Sequence, residues 1–215
     1  MCSHPQKIIA CRSLAPFIES IQGTAANLTV LEVGLHVDPA RLRQALLQTI
    51  AQLEEEGATI ILGYGLCGRS LEGVVSEKST LIVPRIDDCI GMLLGSRSRH
   101  RQVMADHPGT YFLDANWLDS DMNIFIQINK GMEHLPEERR RQIAHIALQH
   151  YTRLVLLEET QQTDAEERCR RLAEEHDLEF RRLDRDFGLL ERLVCGPWTA
   201  AEFVIVPPGT PIPHF

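Results

Sequence analysis

Four residues that can bind metals follow different predicted strands, each close to the point where its strand ends. Cys11 ends the apolar run KIIAC, and His36 follows the second run, LTVLEV, by three residues. Cys67 lies in the segment GYGLCG after the third run, and Cys89 follows the fourth, in PRIDDC. The carboxyl ends of neighbouring parallel strands meet at one edge of a sheet, where ligands bind. Because thiolates and imidazole suit zinc and iron–sulfur clusters, the pattern predicts a metal site formed by these four residues.

Three glycines, Gly63, Gly65 and Gly68, surround Cys67 in the segment GYGLCG. Glycine allows a positive φ and a close approach of the backbone to a ligand, and consecutive amides in such a turn can bind an anion. We therefore expect the glycines to contact the cofactor and the pKa of the Cys67 thiol to be lowered. A tight turn with a buried cysteine is the alternative. The segment lacks the GK[ST] ending of a phosphate-binding loop and is a poor dinucleotide-binding motif, which excludes both site types.

Charged residues surround Cys89 where a helix is predicted to begin. Either Asp87 or Asp88 is expected to cap this helix, and the helix dipole would favour the thiolate of Cys89. Arg85 either binds a carboxylate or phosphate of a substrate or pairs with one of the two aspartates. We assign Arg85 and Asp88 as candidate catalytic residues. Trp117, in LDANWLDSDM, is either one wall of a cofactor cleft or a packed aromatic side chain.

The composition is that of a globular protein without a nucleic-acid or membrane surface. The chain has 215 residues, of which 44% are hydrophobic and 24% charged, and its net charge is −8. This acidic balance argues against nucleic acids and anionic membranes as partners, and no apolar run is long enough to cross a bilayer. The amino-terminal sequence has no secretory signal, so we expect a cytoplasmic protein. In that reducing compartment the 6 cysteines are expected to be ligands, reactive thiols or buried residues rather than disulfides.

Short apolar runs alternate with amphipathic stretches along the whole chain. This alternation predicts an α/β fold with a Rossmann-like parallel sheet flanked by helices. We expect a single α/β domain over residues 1–215, with two similar halves, 1–108 and 109–215, as a finer division. The segment Asp114–Asn129 has weak periodicity and is left unassigned. The predicted strands are Lys7–Cys11, Leu28–Val33, Thr59–Leu62, Leu81–Val83, Thr110–Leu113, Leu154–Leu157, Glu179–Leu183 and Phe203–Val206.

The motifs GYGLCG and PRIDDC, with LLGS, PGTYFLD and the ending GLLERLVCGPWTAAEFVIVPPG, resemble the prokaryotic domain of unknown function 1638 family. The resemblance covers nearly the whole chain but implies no established activity. Members of the family are often encoded near corrinoid-dependent methyltransferase systems, so the resemblance implies a role in methyl-group metabolism with a corrinoid protein or methyltransferase as partner. The positions that it carries over are Cys11, His36, Cys67, Arg85, Asp88, Cys89 and Trp117.

The leading hypothesis is a metalloprotein that acts on a small-molecule substrate. Three thiolates suit either a zinc ion or an iron–sulfur cluster, and the sequence does not choose between them. With His36 bound, a zinc site would be closed and structural. With His36 free, an open position would remain for a substrate, as in a metal-dependent transferase or lyase.

Two other functions and one mode of assembly stay open. One alternative is a metal-free thiol enzyme with Cys67 as nucleophile and His36 or Asp88 as base. The other is an accessory protein for a corrinoid methyltransferase, without turnover of its own. An exposed edge strand or the apolar stretch Ile124–Ile128 could form the interface of a homo-oligomer. Either segment could equally be buried in the core of the protein itself.

Overall fold

The computed structural model describes residues 6–21, 25–32, 34–35, 38–121, 123–158 and 163–215. They form two compact units, unit 1 (Met1–Arg99 and Asp186–Phe215) and unit 2 (His100–Arg185). The chain therefore returns to unit 1 at its C-terminal end, whereas the sequence suggested two contiguous halves divided near residue 109. The strands are β1 (Gln6–Cys11), β2 (Leu28–Leu31), β3 (Thr59–Gly63), β4 (Thr80–Pro84), β5 (Thr110–Asp114), β6 (Arg153–Glu158), β7 (Glu179–Asp184) and β8 (Phe203–Val206). The α-helices are α1 (Ala15–Glu19), α2 (Pro39–Leu53), α3 (Cys89–Leu93), α4 (Arg97–Asp106), α5 (Ile124–Asn129), α6 (Glu137–Leu148), α7 (Thr163–Glu175) and α8 (Gly188–Cys195).

Unit 1 contains a five-stranded sheet in the order β2-β1-β3-β4-β8. The first four strands are parallel to their neighbours, and β8 runs antiparallel to β4. Strands β1, β3 and β4 are buried almost without interruption, as expected where helices cover both faces of a parallel sheet. The predicted Rossmann-like α/β class is confirmed, with β8 as the antiparallel exception.

Helix α2 has an N-terminal cap and one apolar face that packs on this sheet. The Asp38 side chain accepts hydrogen bonds from the backbone amides of Ala40 and Arg41, and proline occupies the first turn. This cap satisfies amides that have no partner within the helix. The helix buries Leu42, Leu46 and Ile50, which lie four residues apart on one face, in the core shared with β1 and β3.

Unit 2 contains the parallel sheet β5-β6-β7. The unassigned segment Asp114–Asn129 forms a 3₁₀ turn, Ala115–Trp117, and helix α5. Phe125 and Ile128 of α5 are buried in the core of unit 2, so most of the apolar character of Ile124–Ile128 is used within that unit. No helix in the described part of the chain is both long and apolar enough to cross a bilayer.

Candidate thiol site at the carboxyl edge of the unit 1 sheet

Three cysteines lie at the carboxyl ends of three neighbouring strands. Cys11 is the last residue of β1, Cys67 lies four residues after β3 ends at Gly63, and Cys89 begins α3 after β4. Strands β1, β3 and β4 are adjacent and parallel, which brings their carboxyl ends to one edge. All three thiols are free, with Cys11 buried and the other two partly buried. The sheet order therefore places together residues that are distant along the chain.

The three thiols are close enough to interact electrostatically. Burial raises the pKa of Cys67 to about 12, and the neighbouring Asp88 and Cys11 act in the same direction. Burial also raises the pKa of Cys89 well above its usual value, with further contributions from Asp88, Cys67 and Cys11, while a hydrogen bond with the Ser13 side chain opposes the shift. The predicted lowering of the Cys67 pKa, and the predicted preference of Cys89 for the thiolate, are therefore wrong. Desolvation outweighs both the turn and the helix dipole.

The turn after β3 has an unusual backbone conformation. Cys67, Gly68 and Arg69 follow one another with φ values of 43°, 67° and 70°. Left-handed conformations are costly for residues with a Cβ and persist where the surrounding structure enforces them, often at functional sites. A hydrogen bond from the Ser70 hydroxyl to the Cys67 carbonyl, at 2.6 Å, helps to hold this turn.

The turn is fixed to the loop that follows β4. The backbone amides of Leu66 and Cys67 donate to the carbonyls of Ile86 and Asp87, both at 3.0 Å. These two amides are therefore not available for the predicted anion-binding nest. A Cβ on Gly65 would lie 2.6 Å from the Cα of Asp88, so only glycine allows this approach.

The other two glycines also have packing roles. A Cβ on Gly63 would lie 2.9 Å from the Cβ of Ala10, its partner across β1 and β3. Gly68 has a positive φ, and a Cβ there would lie 3.3 Å from Pro39. A contact of these glycines with a cofactor stays a prediction.

The charged residues of PRIDDC have separate structural roles. The Asp88 side chain accepts from the amides of Ile90 and Gly91 and caps α3, which confirms that one of the two aspartates is a cap. Asp87 pairs with Arg97 at 2.7 Å. The Nε of Arg85 donates to the Ala200 carbonyl at 2.9 Å, and its guanidinium lies over the Phe215 ring. Asp88 is thus the member of this group that also influences the thiols.

Sequence analysis did not identify two further residues of this site. Tyr64 is 2% exposed, and its hydroxyl has no hydrogen-bond partner among the described residues. Burial raises the pKa of Tyr64, and Cys11, Cys67 and Cys89 add to the shift, so its phenol lies near all three thiols. Ser13 reaches Cys89 from the turn after β1. The signal for Tyr64 was its place within GYGLCG, but an aromatic residue beside a strand is usually part of the core.

The remaining predicted site residues lie elsewhere. His36 is outside the described residues. Trp117 belongs to unit 2, where it packs partly buried against that unit's core. Cys169 is buried in the same core, whereas Cys195 is exposed and disulfide-bonded. The expectation that the cysteines form no disulfide is therefore wrong for Cys195.

The thiols are not arranged as a finished coordination sphere. Within the described ranges, no three histidine, cysteine, aspartate or glutamate side chains are placed so that they could hold a metal ion. The described geometry is a group of three neighbouring thiols, one buried and two partly buried, beside the carboxylate of Asp88. Soft thiol ligands fit zinc and iron–sulfur centres chemically. The Tyr64 hydroxyl, which has no partner in the part of the chain that the structure describes, leaves a hydrogen-bond donor for a bound group.

Comparison with known proteins identifies a family but no activity. The family model described as "Protein of unknown function (DUF1638)" matches residues 30–194. No curated protein and no solved structure matches the chain. The match includes Cys67 and Cys89 and ends before β8.

Proposed function

The chain belongs to the DUF1638 family of proteins of unknown function, and we propose that it is a metalloprotein whose Cys11, Cys67 and Cys89 bind a zinc ion or an iron–sulfur cluster. The observation that carries the proposal is that three free cysteines follow three adjacent parallel strands at one edge of the sheet. Thiolates are the usual ligands of both centres.

The burial of the thiols supports a metal rather than a metal-free nucleophile. A thiol enzyme needs a thiolate near neutral pH, whereas burial raises the pKa of Cys67 to about 12. The negative charge of Asp88 raises the pKa of Cys67 further, because it disfavours a second anion nearby. A divalent metal or a cluster supplies the positive charge that stabilises several thiolates in one buried place. Rapid alkylation of Cys67 at neutral pH in the metal-free protein would favour the thiol enzyme instead.

The proposed ligands close around the metal as it binds. The thiols interact but are not at positions that would already hold an ion, so rotation of cysteine side chains is part of the proposal. His36 is proposed as a fourth ligand or as a neighbour of an open position. An open position on zinc would allow a small-molecule substrate to bind as a thiolate or other soft donor.

The proposed reaction class is group transfer or elimination at this open position. The setting in methyl-group metabolism, with a corrinoid protein or methyltransferase as partner, rests on the family resemblance alone. Within the site, the chain's own contribution would be to bind and orient the substrate beside the metal. The carboxylate that acts on the thiols, Asp88, is already engaged as a helix cap.

Metal analysis of the full chain, purified without oxygen, tests the proposal. We expect about one zinc or about four iron and four sulfide per chain, the latter with a brown colour. Cys11→Ala, Cys67→Ala and Cys89→Ala should each lower the metal content strongly. Cys169→Ala is the matched control, because Cys169 is also free and buried but lies in unit 2. A folded wild-type protein that takes up neither zinc nor iron would refute the proposal.

A further inference from the structure

Tyr64 directly follows β3 and carries a buried hydroxyl group. The residue is 2% exposed, and its hydroxyl has no hydrogen-bond partner in the described part of the chain. Buried tyrosines normally find a partner for this group, because leaving it unpaired costs free energy. An unpaired hydroxyl in a native protein therefore calls for a ligand or a functional reason.

The surroundings of Tyr64 identify where its partner would be. The side chains that act electrostatically on its phenol are those of Cys11, Cys67 and Cys89. These are the same three thiols that act on one another at the carboxyl edge of the sheet. Tyr64 and Cys11 are buried in one core cluster, and Cys67 packs against that cluster. A buried phenol among these residues can donate a hydrogen bond to one of the sulfur atoms once it is a thiolate and its side chain has turned toward the bound metal.

The main chain on both sides of Tyr64 is held in place. Gly63 packs against Ala10 of β1 so closely that a Cβ would lie 2.9 Å from the Ala10 Cβ. Gly65 packs against the backbone of Asp88 in the same way, with 2.6 Å from a Cβ to the Asp88 Cα. The main chain on both sides of Tyr64 is thus closely packed, against the residues that directly precede Cys11 and Cys89.

We propose, on the basis of the metal site proposed above, that Tyr64 is a positioning residue whose hydroxyl donates a hydrogen bond to a metal-bound cysteine thiolate. Hydrogen bonds to ligands orient them and tune the metal, and their loss typically weakens metal binding by about 10- to 100-fold. The same hydroxyl is expected to destabilise the metal-free protein, because it is buried without a partner among the described residues. Replacing Tyr64 by Phe should therefore weaken metal binding but stabilise the metal-free protein.

Tyr64→Phe in the full chain, titrated with Co²⁺ as an optical probe for zinc, tests the inference. We expect the variant to bind Co²⁺ about 10-fold more weakly and its sulfur-to-cobalt charge-transfer band to move to lower energy, because a thiolate without the hydrogen bond is a stronger electron donor. The metal-free variant should unfold at a higher urea concentration than the metal-free wild type.

Tyr111→Phe is the matched control. The Tyr111 hydroxyl accepts a hydrogen bond from the Ile124 amide at 3.0 Å and lies in unit 2. This variant should lose stability while its Co²⁺ affinity and spectrum stay those of the wild type. If wild-type protein binds no Co²⁺, the metal site and this inference both fail. If wild type and Tyr64→Phe bind Co²⁺ equally and with the same spectrum, only the inference about Tyr64 is overturned.

Discussion

The backbone of Gly65 lies against the backbone of Asp88, where a Cβ on the glycine would be 2.6 Å from the Asp88 Cα. Two hydrogen bonds beside this contact join Leu66 to Ile86 and Cys67 to Asp87. The contact and the bonds together fix the turn that carries Cys67 to the loop that leads into Cys89. The separation of the two thiols is therefore set by backbone packing rather than by the flexible side chains alone.

Gly65→Ala is expected to push these two loops apart. The added methyl group meets backbone atoms, which cannot move aside as the end of a side chain can, so we expect a loss of about 1–3 kcal/mol in the free energy of unfolding. Metal affinity should fall as well, because the thiols of Cys67 and Cys89 are displaced from each other. Urea unfolding and a zinc titration measure the two effects.

Gly34→Ala is the control for this substitution, since a Cβ at Gly34 has nothing within 4 Å. It should bind zinc as the wild type does. Unchanged stability and zinc affinity in Gly65→Ala would contradict the proposed role of the loop contact.

The left-handed backbone at Cys67, with φ at 43°, predicts an unusual order of stability among variants. Cys67→Gly should be more stable than Cys67→Ala by about 1 kcal/mol, because glycine adopts this conformation without a steric cost. Both variants should lose metal binding equally. Urea unfolding of the metal-free proteins measures the difference.

The same pair of substitutions at Cys89 provides the comparison. Cys89 begins helix α3, where glycine is less favourable than alanine. Cys89→Gly should therefore be the less stable of the two. If Cys67→Gly were also less stable than Cys67→Ala, the backbone at this position would not be held in the left-handed conformation.

The sequence was sufficient to predict the strands and the sheet edge at which the three cysteines lie. Each predicted strand overlaps a strand of the structure. The central strands were the clearest, because parallel strands with both faces covered are almost continuously hydrophobic, as in TLIVP of β4. The convergence of Cys11, Cys67 and Cys89 follows from strand ends and sheet order. The antiparallel direction of β8 could not be predicted, because the sequence of a strand does not indicate whether it runs parallel or antiparallel to its neighbour.

Properties that depend on tertiary packing could not be predicted. The sign of the Cys67 pKa shift follows from how deeply the thiol is buried, which one sequence does not reveal. Consecutive amides of the segment GYGLCG were expected to be able to bind an anion, but those of Leu66 and Cys67 bond to carbonyls about twenty residues further along the chain. The unpaired hydroxyl of Tyr64 is likewise visible only when its neighbours are known.

Unit 2 contains a buried ion pair at the carboxyl edge of its own sheet. The Arg185 Nη1 atom lies 2.6 Å from Oδ2 of Asp114, which is fully buried at the end of β5. Arg185→Met should lower the free energy of unfolding by about 3–5 kcal/mol, because it leaves a carboxylate buried without this counterion. Adding Asp114→Asn to that variant should recover part of the loss.

An exposed pair gives the comparison for this prediction. Arg141 and Glu137 on α6 lie 2.5 Å apart, with 79% and 67% of their side chains exposed. Arg141→Met should change stability by less than about 1 kcal/mol, since water screens such pairs. If the two arginine substitutions lowered the free energy of unfolding equally, the burial of Asp114 would not explain the stability contributed by its ion pair.

Alkaline pH should destabilise the metal-free protein through its buried thiols. A cysteine in the unfolded chain loses its proton near pH 9, whereas Cys67 in the folded protein keeps its proton up to about pH 12. Between these values the folded state binds more protons than the unfolded state, so stability is complete below pH 9 and falls as the pH rises. In this range each such thiol lowers the free energy of unfolding by about 1.4 kcal/mol for each pH unit.

Urea unfolding of the metal-free protein between pH 7.5 and about pH 10.5 measures this slope. Cys67→Ala should make it shallower, because the variant lacks one of the thiols whose pKa burial raises. The metal-loaded protein should resist the same rise in pH, since bound thiols have already released their protons and metal affinity increases as protons become scarcer. A slope that stays the same in Cys67→Ala would mean that this thiol is exposed to water in solution, and the electrostatic case for a metal among the three cysteines would then lose its basis.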